Sequence, residues 1–315
     1  MITFAGRRVG YGLLVLGLVA TFTFLTLRLI PGDVVRLQLA DAPGATEEQV
    51  AQRSAELGLD EPLVSQFFTF MTDAMRLDFG TSFQDGRPVV DHIAERLPAT
   101  LELGLLALFL GLALGIPLGV ISALKPNSLT DQILRVLAVV GMSIPNFWLA
   151  LLLITYLAQW FGWSPPLVYV GPGENLAQNL THLALPALAL AVGSMAGVAR
   201  MLRSSMLEVL GSNFIRTVRS RGASEFTVLA KHAGRNSLIP VFSLLGLQVG
   251  AILGGTVILE SIFSIPGMGS LIFDAVQNRD YPVVLGCVIV YGGLFILVNL
   301  LVDILYAVVD PRIRY

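Results

Sequence analysis

Five stretches of this chain are apolar over more than the about 20 residues that a helix needs to cross a bilayer. They are Val9 to Ile30, Thr100 to Leu124, Ile133 to Ala158, Ser237 to Ile262 and Val283 to Val309. A sixth, Leu183 to Leu202, is built more of Ala, Gly and Ser and is counted with them. With 55% hydrophobic and 13% charged residues, the 315-residue chain is better suited to lipid than to water. The expectation is an all-α integral membrane protein with six transmembrane helices.

Arg7 and Arg8 precede the first run as they would in a signal peptide. That run is too long for a signal-peptide core, and "RLIPGD" after it offers no small-x-small cleavage site, so a retained helix is expected. The lone Cys287 falls in the last span and rules out a disulfide or a cysteine-based metal site within the chain.

Orientation follows from where Lys and Arg lie rather than from the net charge of −2. With the N-terminus inside, the inner segments carry 13 Lys and Arg and the outer ones 6, with Arg28 near a span end. Both termini are therefore expected in the cytoplasm. The expected organisation is residues 1–30 for the N-terminus and first helix, 31–98 for an extracytoplasmic segment between helices 1 and 2, and 99–315 for the transmembrane core of helices 2 to 6. Within the core, 207–237 forms a cytoplasmic loop between helices 4 and 5.

Segment 31–98 holds twelve acidic residues against five Arg and reads as helices. Thr46 and Gln49 have capping-box spacing, and Gly58 ends the helix that they start. Pro62 opens a second, whose Leu63, Phe67, Phe70, Met71 and Ala74 form a stripe that packs on the protein's own top or meets a docking partner. Glycines recur every four residues in three spans: Gly111, Gly115 and Gly119; Gly193 and Gly197; Gly246, Gly250 and Gly254. Small residues at this spacing let helix backbones approach where lipid supplies no hydrophobic drive for association.

No catalytic constellation stands out. The three His are not at ligand spacing, "GSMAG" is only a loose nucleophile elbow, and neither Lys125 nor Lys231 completes a phosphate-binding glycine loop. No cofactor is expected in this chain. Two acids lie in or near spans: Glu260 and Asp303, the latter on one face with Asn299. Asp303 either bridges to Arg200 or Arg203 or lines a pathway, because intramembrane acids face a bundle or a cavity. Glu260 either lines the pathway or makes a rim hydrogen bond. "SIPGMG" at 264 to 269 is a turn that covers a cavity mouth in the pathway reading, which makes Glu260, Ser264, Pro266, Gly267, Asn299 and Asp303 the candidate pathway or gate residues.

The stretch "RTVRSRGASEFTVLAKHAGRNSLIP" gathers Arg216, Arg219, Arg221, Lys231 and Arg235. Ser212 or Asn213 caps a short helix with Phe214, Ile215 and Val218 on its apolar side, Gly222 ends it, and Ser224 caps the next. This is either a rigid docking knob or a cluster that only sets topology and touches anionic lipid.

"SNFIRTVRSRGAS", "KHAGRNSLIPV", "GLQVGAILGGTVILESIFSIPGMGSLIFDAV", "RDYP" and "LVNLLVDILYAVVDPRIRY", with "IPGD", "ELGLDEP", "DFGTSF" and "ERLPATLELG" upstream, resemble the permease subunits of ABC importers for dipeptides, oligopeptides and nickel. The likeness covers nearly the whole chain. It implies a transport subunit rather than an enzyme, in a bacterial or archaeal cytoplasmic membrane. It also implies a second permease, two cytoplasmic ATPase subunits carrying ATP and Mg, an extracytoplasmic substrate-binding protein, surrounding membrane lipid and no nucleic acid. The knob then resembles the family's coupling helices, with Phe214, Arg216, Thr217, Arg219, Ser220, Gly222 and Ala223 at the ATPase contact. Arg216, Thr217 and Val218 stand where the general importer motif has Glu-Ala-Ala, and Gly222 keeps its glycine. A secondary transporter or channel using Glu260 and Asp303 as a relay, and a receptor or scaffold, remain the alternatives.

Overall fold

A computed structural model describes residues 2–29, 35 and 46–309, the side chains of 2–5, 53 and 303–309 excepted. The elements are α1 (Ile2–Leu29), α2 (Glu47–Glu56), α3 (Leu63–Ala74), α4 (Val89–Leu124), α5 (Leu129–Ser143), α6 (Asn146–Phe161), α7 (Leu176–Leu210) and α8 (Asn213–Ser220). Three short pieces follow, Glu225–Thr227, a π-helical Val228–Gly234 and Arg235–Ser237, and then α9 (Ile239–Ile262), α10 (Met268–Gln277) and α11 (Tyr281–Val309). Among the described residues five helices are long and apolar enough to cross a membrane, and a sixth crossing requires α5 and α6 together. The chain divides into two compact units, residues 1–98 with 266–296 and residues 99–265 with 297–315.

The expected straight span over Ile133 to Ala158 is two helices bent by 105°. Pro145 is the cause. It cannot donate to the preceding turn and forces Ile144 out of the helical region, to φ −82° and ψ 125°. α7 is longer than the expected Leu183 to Leu202, and it is the most enclosed of the spans. Its Ala, Gly and Ser composition follows, because a helix packed on most of its faces needs small side chains.

In the first unit the capping box at Thr46 forms, with the Gln49 amide nitrogen donating to Thr46 Oγ1 at 3.3 Å and the Thr46 nitrogen to Gln49 Oε1 at 3.0 Å. Gly58 ends the turn with φ +64°. Phe67 and Phe70 of the α3 stripe pack on Phe24 of α1, at ring distances of 5.4 and 6.2 Å, whereas Leu63 at the helix start is exposed. Two of the quoted motifs lock together here. Asp280 of "RDYP" is buried and accepts hydrogen bonds from Ser82 Oγ and the Phe83 nitrogen of "DFGTSF".

In the second unit the α4 glycine stripe lies on α7. A Cβ at Gly115 would stand 2.8 Å from the Met195 carbonyl oxygen and 2.9 Å from Val198 Cβ, and one at Gly119 2.8 Å from the Ala199 carbonyl. The backbones therefore touch. The α9 stripe behaves differently: Gly246 meets Asn299 of α11, while Gly254 has open space and its neighbour Gly255 receives Asn146 and Leu190.

Candidate functional site: an exposed knob and two polar clusters

The knob begins where α7 ends. Ser212 caps α8, its hydroxyl accepting from the Ile215 nitrogen at 3.4 Å. Ile215 is fully buried, so the helix is pinned by one apolar anchor while Arg216, Thr217, Arg219 and Ser220 stay exposed. The helix closes with two backbone bonds, from the Ala223 nitrogen to the Val218 carbonyl (3.4 Å) and from Gly222 to Arg219 (3.0 Å), around Gly222 at φ +81°. This is the Schellman arrangement, in which the left-handed residue is ordinarily glycine. Thr217 and Ser220 hydroxyls donate back to helix carbonyls at Asn213 and Thr217. Ser224 caps the next piece by accepting from the Thr227 nitrogen.

Arg219 is not a free cation. Its Nε and Nη2 donate to the two Glu225 oxygens at 2.8 and 3.1 Å, so the pair staples α8 to the segment after the turn. Those hydrogen bonds hold the Glu225 carboxyl below its ordinary value and raise the Arg219 guanidinium above its own. Phe214 is half exposed, with its ring edge-on to His232 at 5.7 Å, and Phe226 is 80% exposed. Val228 and Ala233 of the π-helical turn are buried beneath them. Two large aromatic faces, Arg216 and a stapled Arg219 thus stand on a base fixed by three buried apolar residues. The sequence reading missed Glu225 and Phe226, and the signal for Glu225 was its six-residue spacing from Arg219 across a glycine turn.

Glu260 is fully buried and its Oε1 accepts from Thr100 Oγ1 at 2.7 Å. A separate set of bonds in the same unit joins residues that sequence reasoning did not single out. His182 Nε2 donates to the Phe263 carbonyl at 2.8 Å, Tyr169 OH donates to Glu102 Oε2 at 2.6 Å, and Asn179 Nδ2 donates to the same oxygen and to the Val170 carbonyl. Burial and then the Glu102 bond raise the Tyr169 phenol well above its ordinary value. These bonds fasten segment 162–175 to α4 and α7. Ser264 is exposed at φ +53°, Pro266 is partly buried and Gly267 is buried, its nitrogen donating to Ser270 Oγ. Asn299 packs on Gly246, and the Asp303 side chain lies outside the described residues.

A second buried carboxylate was also missed. Asp131 of α5 accepts from Arg203 Nε and Nη2 at 2.6 and 2.7 Å, from Ser122 Oγ, and from the Asn127 nitrogen at 2.8 Å. Of the two partners expected for Asp303, Arg200 and Arg203, the second is engaged by Asp131.

Residues 115–315 match the family described as binding-protein-dependent transport system inner membrane component, and residues 1–104 match its N-terminal membrane component. The chain belongs to this family. As a transport permease component it has close relatives along its full length. One is the dipeptide transport system permease protein DppB of Alkalihalophilus pseudofirmus, 39% identical with all of both chains covered. Another is DppB of Escherichia coli (strain K12), 39% identical over 100% of this chain and 99% of that one. An inward-facing conformation of the MetNI methionine ABC transporter superposes with a TM-score of 0.55 at 17% identity, covering 70% of the permease and 96% of that chain. That likeness is one of fold.

Proposed function

We propose that this permease is one half of the translocation pathway of an ATP-driven importer of peptides, and that 207–237 is the knob through which ATPase subunits move it. The relatives named for dipeptide transport support the substrate class. The observation that carries the coupling role is the Gly222-closed α8, a rigid eight-residue helix held by buried Ile215 with aromatic and cationic groups facing outward. A tether would transmit nothing, because a conformational change passes only through contacts that differ between two states.

The complete transporter then comprises a second permease, two cytoplasmic ATPase subunits that bind ATP and Mg, and an extracytoplasmic binding protein that delivers the peptide. The knob and both termini face the cytoplasm, in accord with the excess of Lys and Arg there. ATP binding closes the ATPases and rocks the spans outward, and hydrolysis resets them. Buried Glu260 with Thr100 belongs to the outer closure, where a carboxylate in an apolar wall demands a partner in each state.

The test uses the assembled transporter in proteoliposomes. Gly222→Val forces a β-branched residue into a left-handed turn at a cost of roughly 1–2 kcal/mol. Arg219→Glu reverses a charge on the knob and also breaks the Glu225 staple, so Glu225→Gln serves as the control that breaks the staple alone. Gly222→Val and Arg219→Glu are expected to keep the second permease, to retain fewer ATPase subunits on purification and to lose ATP-driven dipeptide uptake. Normal uptake and ATPase retention in both would leave the loop a topology signal only.

A further inference from the structure

The glycine contacts of α4 advance along α7 in step, Gly111 on Ser194, Gly115 on Val198 and Gly119 on Leu202, so the two helices run in the same direction. α5 runs against them, since Asp131 near its start meets Arg203 whereas Gly141 near its end meets Val192. A crevice of about 240 Å³ lies between these three helices. The directions place its lining in order. Ser122, Arg135, Arg200 and Arg203 fall at one end, and Leu118, Val139 and Met195 at the other.

The charges at that end do not cancel. Asp131 spends its carboxylate on Arg203, and Arg135 stands 3.7 Å from Oδ2 of the same carboxylate, at the far limit of an ion pair. Arg200 is exposed and makes no ion pair among the described residues. Among the described side chains, three guanidinium groups thus stand with one carboxylate at one end of an apolar slot. A hydrated inorganic anion has no use for the apolar depth, and an apolar ligand has none for the cations. An amphiphile with an anionic head satisfies both.

We propose that this crevice is a binding site for an anionic phospholipid of the cytoplasmic leaflet. Arg135 and Arg200 take the phosphate, and an acyl chain lies along Leu118, Val139 and Met195. Guanidinium pairs match phosphate oxygens in geometry as well as charge, and basic pockets between spans recruit anionic headgroups. The site is separate from the knob. Its leaflet rests on the orientation given above.

The complete transporter is reconstituted in nanodiscs of phosphatidylcholine with phosphatidylglycerol and examined by native mass spectrometry. Wild type is expected to retain phosphatidylglycerol. Arg135→Gln with Arg200→Gln should retain it about thirtyfold less well, roughly fivefold for each cation removed. Arg135→Lys with Arg200→Lys, which keeps the charge, should restore most of the binding. A photoreactive residue at Val139 should crosslink to phospholipid. Unchanged retention in the Gln pair overturns the proposal, as does displacement of the lipid by inorganic phosphate or crosslinking of Val139 to the second permease. Orientation is read separately with an impermeant thiol reagent on Ser220→Cys in a Cys287→Ala background. Labelling from outside overturns the leaflet and not the lipid.

Discussion

Asp131→Asn tests how much one buried carboxylate holds together. The wild-type side chain has no solvent exposure and receives four hydrogen bonds, two of them from the Arg203 guanidinium, whose own side chain is only 19% exposed. The asparagine keeps the shape but turns an amide towards a cation and leaves Arg203 without its counter-ion. Breaking a buried, hydrogen-bonded ion pair on one side costs about 3–5 kcal/mol. Arg135, at 48% exposure, contributes little to that sum because solvent screens it. A loss of about 3 kcal/mol is therefore expected, read as a fall in the unfolding midpoint of the purified complex in detergent. Adding Arg203→Met to Asp131→Asn should recover a large part of the loss, since it removes the guanidinium charge that the asparagine leaves uncompensated. A change below about 1 kcal/mol in the single variant, or no recovery in the double, would refute the reading of Asp131 and Arg203 as a buried pair that holds α5 to α7.

Gly115→Val should separate α4 from α7, because the added Cβ lands on backbone and on a β-branched neighbour that cannot yield, and overpacking of this kind costs about 1–3 kcal/mol; limited proteolysis of the purified permease should show increased cleavage. Ser264→Gly should stabilise the complex by about 0.5–1 kcal/mol, since Ser264 closes α9 in the left-handed region, the Ile265 nitrogen bonding to the Glu260 carbonyl at 2.8 Å, where glycine carries less strain. A melting temperature that falls instead would show that the Ser264 side chain is needed there.

Apolar length alone located the membrane helices, because it is a one-dimensional property that lipid enforces. The same runs could not show the break in the third, although Pro145 marked its place. The knob was legible nearly residue by residue, since Ser212, Gly222 and Ser224 act on backbone groups only a few positions away. Pairings distant in sequence were not legible. Nothing near Asp131 announces Arg203, 72 residues later, and Glu102 meets Tyr169 and Asn179 only after α4 and α7 have packed. The glycine stripes show both sides of this limit. The spacing was the same in α4 and α9, but only the first lies wholly on a neighbouring backbone.

The bend at Pro145 bears on the bilayer itself. α5 has 15 residues and α6 has 16, about 22 and 24 Å at 1.5 Å per residue, and each falls short of a hydrocarbon core about 30 Å thick. Neither half reaches across alone, and the 105° angle leaves the two about 28 Å of end-to-end reach out of about 46 Å. Lipid beside this pair must thin, or polar groups must reach outward, each at a fraction of a kcal/mol per ångström of mismatch. Membranes of shorter lipids are therefore expected to fit this pair with less mismatch than thicker ones.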